Sequence, residues 1–352
     1  MGVYFKKQLV TGFFHHVTKI GFAAFRFVLI VLVVSACKVD IPEQPPSPYD
    51  PKSLEFEYMT DERWVSSENF QVTINTQDYQ RTVLTSGYED YKPSWSKKGD
   101  KITFFRLLEG GPSTRVWKTA LCVINTDGTG FKALSDGAYA DFNMTWTRDG
   151  SNLIIFNRYI NERNGLNRIY FIDPEGSAGD EQLVSDISQD FEWAFCGLKD
   201  GRLFIDSFTS PDYKSFLLTP DPGKVGTYEE ISRPTTYVWH KLSVSPSETK
   251  VCYMLDMKKT SSESYIDSVL YYADFDINTV EVSNPVQITK LSMKYVDEYP
   301  RWSNDETIIV YDSNRNGVNQ LYGYRLSDGV TRRISPDEST NYYFGNFEKT
   351  PK

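Results

Sequence analysis

One motif returns about every fifty residues, and it restricts the fold more than any other feature of the chain. Pro93-Ser94-Trp95-Ser96-Lys97-Lys98-Gly99-Asp100-Lys101-Ile102 recurs as Met144-Thr145-Trp146-Thr147-Arg148-Asp149-Gly150-Ser151-Asn152-Leu153. A third copy reads Pro300-Arg301-Trp302-Ser303-Asn304-Asp305-Glu306-Thr307-Ile308. Weaker copies are anchored on Phe195 and Val244, and a last one on Phe347. The first five anchors lie 51, 49, 49 and 58 residues apart, the long step holding a polar insert at 258–264. Each copy sets two β-branched apolar runs around a tight polar turn, the signal of a hairpin. A second hairpin follows, with strands expected over 120–125, 168–173, 214–219, 269–274 and 320–326. Its end recurs as an aliphatic residue and a hydroxyl: Leu84-Thr85, Leu134-Ser135, Val184-Ser185, Ile231-Ser232, Ile288-Thr289 and Ile334-Ser335.

Four antiparallel strands per repeat predict a propeller blade. Six copies predict an all-β fold, a six-bladed β-propeller of four-stranded antiparallel blades over residues 68–352. The phase adds a detail. Residues 70–85 read as the outer half of a blade and 341–349 as an inner strand, so strands from both termini close the ring and leave no open edge there. No long run of helical period interrupts the pattern. Apolar residues make up 40% and aromatics 15% of the 352, enough for a sizeable core. Against 38 basic residues stand 47 acids, which excludes the basic face a nucleic-acid partner requires.

Residues 1–36 carry Lys6, Lys7, Lys19 and Arg26, no acid, and an apolar run from Phe27 to Val34. This is the pattern of a secretory signal, too short for a confident membrane span. It ends Val34-Ser35-Ala36-Cys37, which resembles the bacterial lipobox. That resemblance implies a lipid on Cys37 and a protein held to a membrane through its N-terminus. Lys38 offers no aspartate retention signal, so the outer membrane of a Gram-negative envelope, facing the periplasm, is the expected location. Residues 37–67 then read as the lipidated cysteine and a stiff tether, with Pro42, Pro45, Pro46, Pro48 and Pro51. Loss of residues 1–36, with four bases and no acid, takes the net charge from −9 to −13. Cys122, Cys196 and Cys252 sit in strand-like runs and read as buried thiols.

Pro93-Ser94-Trp95-Ser96 with Gly99-Asp100-Lys101-Ile102, followed by Asn125-Thr126-Asp127-Gly128-Thr129-Gly130 and Leu134-Ser135, resembles the PD40 repeat of TolB-like propellers. The resemblance covers roughly residues 68–349. It implies the fold and leaves the activity open, because such propellers also occur in prolyl oligopeptidases and polysaccharide lyases. The chain contains no Gly-x-Ser-x-Gly elbow. Of its three histidines, His15 and His16 lie in the signal segment, which leaves His240 against the several histidines of oligogalacturonate lyases.

Five residues before each anchor stand Asp90, Asp141, Asp190, Trp239 and Asp297, with Tyr342 at the weak sixth copy. All would lie on the face where inner strands begin, at the mouth of the central channel. Carboxylates converging there would focus a negative potential and call for a cation such as Ca2+, a basic peptide or a lysine. Alternatively, acids at a repeat position cap local turns. The leading expectation is a non-catalytic module that binds an envelope protein or a glycan on this face. The alternative is a carbohydrate-active enzyme, a lyase or hydrolase, using His240 with acids such as Asp190 and Asp297.

Overall fold

A computed structural model describes residues 64–75, 81–110, 117–160, 166–184, 192–207, 214–232, 238–256, 268–292, 294–335 and 339–347. Cys37 and the tether prolines lie outside the described residues. Twenty-four strands form six antiparallel sheets of four. Blade 2 holds β4 (Glu89–Trp95), β5 (Lys101–Gly110), β6 (Trp117–Asn125) and β7 (Lys132–Ala133). Blade 3 holds β8 (Ala140–Trp146), β9 (Ile154–Ile160), β10 (Leu166–Ile172) and β11 (Gln182–Leu183). Blade 4 holds β12 (Glu192–Gly197), β13 (Leu203–Ser207), β14 (Lys214–Thr219) and β15 (Thr227–Glu230). Blade 5 holds β16 (Val238–Val244), β17 (Lys250–Asp256), β18 (Ser268–Asp276) and β19 (Glu281–Gln287). Blade 6 holds β20 (Asp297–Trp302), β21 (Ile308–Ser313), β22 (Gln320–Arg325) and β23 (Thr331–Arg333).

Blade 1 closes the ring and corrects one expectation. Its order is β24 (Tyr342–Phe347), β1 (Trp64–Glu68), β2 (Gln71–Asn75) and β3 (Arg81–Val83). The C-terminus supplies the inner strand as expected, but the N-terminal part supplies three strands, not two. β1 therefore begins inside the segment assigned to the tether. Its Trp64-Val-Ser-Ser-Glu68 carries only two large apolar residues, too few to stand out as a strand beside a proline-rich stretch.

The aliphatic–hydroxyl endings have a physical cause. Four of the six clasp one residue of the third strand from both sides. Leu84 N–H donates to the Val72 carbonyl, and the Thr85 hydroxyl accepts from Val72 N–H. Leu134-Ser135 does the same to Leu121, Ile288-Thr289 to Leu270, and Ile334-Ser335 to Leu321. A two-residue outer strand such as β7 leaves third-strand N–H groups over, and the hydroxyl satisfies one of them.

Trp95 packs with Val72 and Ile74 of blade 1, and Trp146 with Phe105 and Leu121 of blade 2, so the anchors fill the seams between blades. Trp146 Nε1 donates to the Ser94 carbonyl at 3.1 Å and Trp302 Nε1 to the Ser243 carbonyl at 3.0 Å, each reaching the preceding blade. The anchor of blade 4 is not Phe195. Trp95 pairs with Ile102, Trp146 with Ile154 and Trp302 with Ile309; in blade 4 it is Gly197 that pairs with Leu203. The following residue agrees, since Leu198 N–H donates to the Arg202 carbonyl as Ser96 does to Lys101. The expected register of that blade is therefore two residues out.

Candidate functional site

The corrected register decides which residues share the ring position at the start of the inner strands. They are Asp90, Asp141, Glu192, Trp239, Asp297 and Tyr342, facing Arg106, Arg158, Ser207, Leu255, Ser313 and Glu68 on the second strands. Asp190 lies outside the described residues, and Glu192 holds the position assigned to it.

Asp90, Asp141 and Asp297 are buried, and each is held by an arginine of its own blade. Arg106 grips Asp90 through two bonds of 2.8 and 3.0 Å, and Arg158 grips Asp141 through two of 2.7 and 2.9 Å. Arg315 reaches Asp297 at 2.9 Å. Directly opposed residues of an antiparallel pair suit such two-pronged contacts, because their Cβ atoms stand about 5 Å apart. Each guanidinium also lies over a tyrosine two residues before its aspartate: Arg106 over Tyr88 at 4.1 Å, Arg158 over Tyr139 and Arg315 over Tyr295, both at 5.2 Å. The unit is Tyr-x-Asp with an arginine from the second strand in blades 2 and 3 and from the turn just after it in blade 6. Its signal was in the sequence, since Tyr88, Tyr139 and Tyr295 precede the three aspartates at one spacing. The backbone adds a tie between blades. The carbonyls of Asp90, Asp141 and Asp297 accept from the hydroxyls of Ser67, Thr119 and Ser268 of the preceding blade.

These contacts neutralise three of the carboxylates expected at the mouth within their own blades. A cation at Asp90 or Asp141 would have to displace a guanidinium from both carboxylate oxygens. Among the described residues no three His, Cys, Asp or Glu side chains are grouped to hold a metal. Burial pushes the Asp141 carboxyl up from the ordinary aspartate value, with Arg158 pulling it down. Burial opposes the Arg158 charge as well, but Asp141 and Glu181 outweigh it and hold the guanidinium above its usual value. Trp239 is no exposed platform: it is buried and stacks on Tyr253 at 4.4 Å, with Tyr271 stacked beyond. Tyr342 packs with Trp64, Ile308 and Leu321 in the seam between blades 1 and 6. His240 pairs with Met254 in β16, and its side chain is outside the described groups. Of the acid pair of the enzyme reading, Asp297 is held by Arg315, and Asp190 lies outside the described residues.

A second cluster lies on the axis. Lys92, Asn143, Lys241 and Tyr299 stand three residues before Trp95, Trp146, Val244 and Trp302, and all have left-handed φ of 50 to 55°. Each sits in the bulge of its inner strand, where the extra residue re-aims the side chain. A non-glycine residue there costs roughly 1–3 kcal/mol, so its recurrence in four blades calls for a compensating role. Lys92 of blade 2 and Lys241 of blade 5 both meet Tyr299 of blade 6, which is a meeting across the axis. Lys241 also pairs with Glu298. Near the opposite end, Arg148 of blade 3 spans blade 4 to reach the Ser245 carbonyl and Glu248 of blade 5.

No family model and no curated protein matches the chain. Solved structures do. TolB from Acinetobacter baumannii superposes with a TM-score of 0.62 at 16% identity, over 82% of this chain and 67% of that one. The putative TolB from Agrobacterium tumefaciens gives 0.55 at 12%, over 82% and 99%. Kuenenia stuttgartiensis hydrazine synthase gives 0.58 at 12%, over 83% and 47%.

The chain has the fold of the TolB propeller.

At such identities the likeness concerns the fold alone. Within this TolB-like ring, Lys92 makes a testable difference to stability. Burial first, then Arg301, push its amine down from 10.5 to about 7, with Asp312 pulling upward. The folded protein then holds fewer protons at this site than the unfolded chain between about pH 7 and 10.5, so stability contributed here rises with pH across that window. The buried phenols of Tyr253, Tyr299 and Tyr311 are pushed up and oppose this only once free tyrosine ionises, near pH 10. Urea unfolding from about pH 7 to 9.5 is expected to show a steeper rise for wild type than for Lys92→Met.

Proposed function

We propose that the chain is a non-catalytic binding propeller of the cell envelope. A lipid on Cys37 and the proline-rich tether carry it, at the outer membrane and facing the periplasm. Its partner is an envelope protein, or a glycan-bearing one, bound on the face where the inner strands begin. The observation that supports this most is the placement of exposed apolar side chains. Nine large hydrophobic residues are exposed among the described residues. Five of them, Phe70, Tyr88, Leu108, Leu291 and Val296, belong to turns and strand ends of that one face. Apolar residues gathered on one face, over a rigid frame of Tyr-x-Asp units, are what a protein interface requires. The arginine-neutralised carboxylates favour binding over acid–base chemistry at the same place.

Cross-linked capture from membranes tests the reading. Wild type is expected to retain a partner that Leu108→Ser/Leu291→Ser/Val296→Ser loses by tenfold or more, the scale of two or three interface anchors. Cys37→Ser is expected to move the protein to the soluble fraction. Equal capture by the triple variant, or polysaccharide turnover abolished by His240→Ala, would overturn the proposal.

A further inference from the structure

We infer that the propeller axis holds one small tetrahedral oxyanion, of the phosphate or sulfate kind, between Arg148 and Arg301. The site lies at the far end of the inner strands from the proposed partner face and does not depend on it. One ring of the repeat builds it. Ser94, Thr145, Cys196, Ser243 and Arg301 each stand one residue before the anchor in blades 2 to 6, and all five line one space of about 80 Å³. Arg148, two residues after its own anchor, enters the same wall from the next level. The wall thus holds two cations and no acid. The free edges of the inner strands face the axis as well. The residue after each anchor donates its N–H to the second strand, as Ser96 does to Lys101 and Ser303 to Ile308. Alternation along an antiparallel strand then turns the peptide groups of the anchors themselves toward the axis. Those edges offer N–H and C=O groups alike, so the two guanidiniums set the sign of the charge.

Both guanidiniums keep the same fork open. Arg148 donates Nη1 to the Ser245 carbonyl at 3.2 Å, and Arg301 donates Nη1 to the Pro300 carbonyl at 2.9 Å. Nε and Nη2 of each have no bond among the described residues. Elsewhere in this ring those two atoms are the gripping pair: Arg106 holds Asp90, and Arg158 holds Asp141, through Nε and Nη2. Glu248 stands 3.7 Å from Arg148 Nη1, beyond hydrogen-bond distance, and accepts from Lys199 N–H instead. Arg301 forms no ion pair among the described residues. Geometry then selects the anion. Blades 3 and 6 stand opposite each other in the ring of six, so the two forks come from opposite sides. A carboxylate has one edge of two oxygens and would turn its carbon stem to the second arginine. A tetrahedral oxyanion has two such edges, one for each fork. The volume is that of two or three waters, enough for one such ion and too little for the stem of a phosphate ester.

The test is titration of the full chain with phosphate, sulfate, acetate and O-phosphoserine, at constant ionic strength made up with chloride. Calorimetry and the arginine Nε–H signals in NMR are the readouts. Phosphate and sulfate are expected to saturate and to shift two arginine signals together. Acetate, for want of a second edge, and O-phosphoserine, for want of room, are expected to bind about tenfold more weakly or worse. Arg301→Gln is expected to weaken phosphate by about tenfold or more, and Arg301→Lys, which keeps the charge and loses the fork, to weaken it as well. Lys224→Gln, on an exposed turn, serves as the control and is expected to change nothing. The anion series needs only the wild-type chain, so it decides even where a variant fails to fold. Absence of saturable phosphate or sulfate binding up to roughly 100 mM would overturn the inference, since affinity below that adds little to chance encounter. Unchanged phosphate affinity in either Arg301 variant, or acetate or O-phosphoserine binding as tightly as phosphate, would do the same.

Discussion

Asp141→Ala is expected to destabilise the propeller by about 3–5 kcal/mol, the cost of leaving a buried charge without its partner. Asp141 and Arg158 are both buried, and the guanidinium has four aromatic and acidic neighbours that were arranged around a paired ion: Tyr139, Phe156, Tyr170 and Glu181. Alanine removes two hydrogen bonds at once and leaves Glu181 as the remaining counter-charge. The raised Asp141 carboxyl indicates that the pair itself contributes little over an apolar substitute. Asp141→Leu/Arg158→Met is therefore expected to recover most of the loss, since a well-packed apolar pair of similar volume is often as stable as the ions. Guanidinium unfolding of the two single variants and the double variant reads this as a coupling energy. The same experiment separates a structural ring from a cation site. If the ring held calcium, chelation would lower wild-type stability and leave Asp141→Ala unmoved; the arginine frame predicts no chelator effect on either.

Much of the fold was legible because its determinants are local. The tryptophan anchors, the Asp-Gly turns and the aliphatic–hydroxyl endings are short motifs, and each does a job within a few residues of itself. Asp127 and Asp149 cap their turns by accepting from the N–H groups of Thr129 and Ser151, as turn aspartates do. The site was legible only by position. Counting back from the anchors found Asp90, Asp141 and Asp297, but their charge is decided by arginines 16 to 18 residues away, across a hairpin. Blade 4 failed for a different reason. Its anchor is a glycine, and a pattern reader looking for a large apolar residue moves to Phe195. The axial cluster was missed because Lys92, Asn143, Lys241 and Tyr299 share no chemistry. What they share is a backbone conformation.

Trp146→Ala is expected to cost about 3–5 kcal/mol, the range for emptying a buried aromatic position. The loss has two parts. The indole leaves a void among Phe105, Leu121, Ile154 and Phe156, and the Ser94 carbonyl of the neighbouring blade loses its donor. Gly197→Trp restores the repeat pattern and is nevertheless expected to destabilise by about 1–3 kcal/mol or more, as overpacking does. A side chain at Gly197 begins 3.2 Å from Ile155 Cδ1, 3.4 Å from Thr147 Cα and 3.5 Å from Arg148 N, two of these being backbone atoms with little room to yield. The Arg148 backbone that it would press carries the side chain that reaches Ser245 and Glu248 of blade 5. Thermal unfolding of both variants compares the two readings of the odd anchor. If Gly197 were only a decayed copy of the repeat, tryptophan there would raise the melting temperature. A fall means that the glycine makes room for the Arg148 strap. The irregular blade is then a condition for binding blades 3 and 5 together across the axis, and its departure from the repeat has a structural cause.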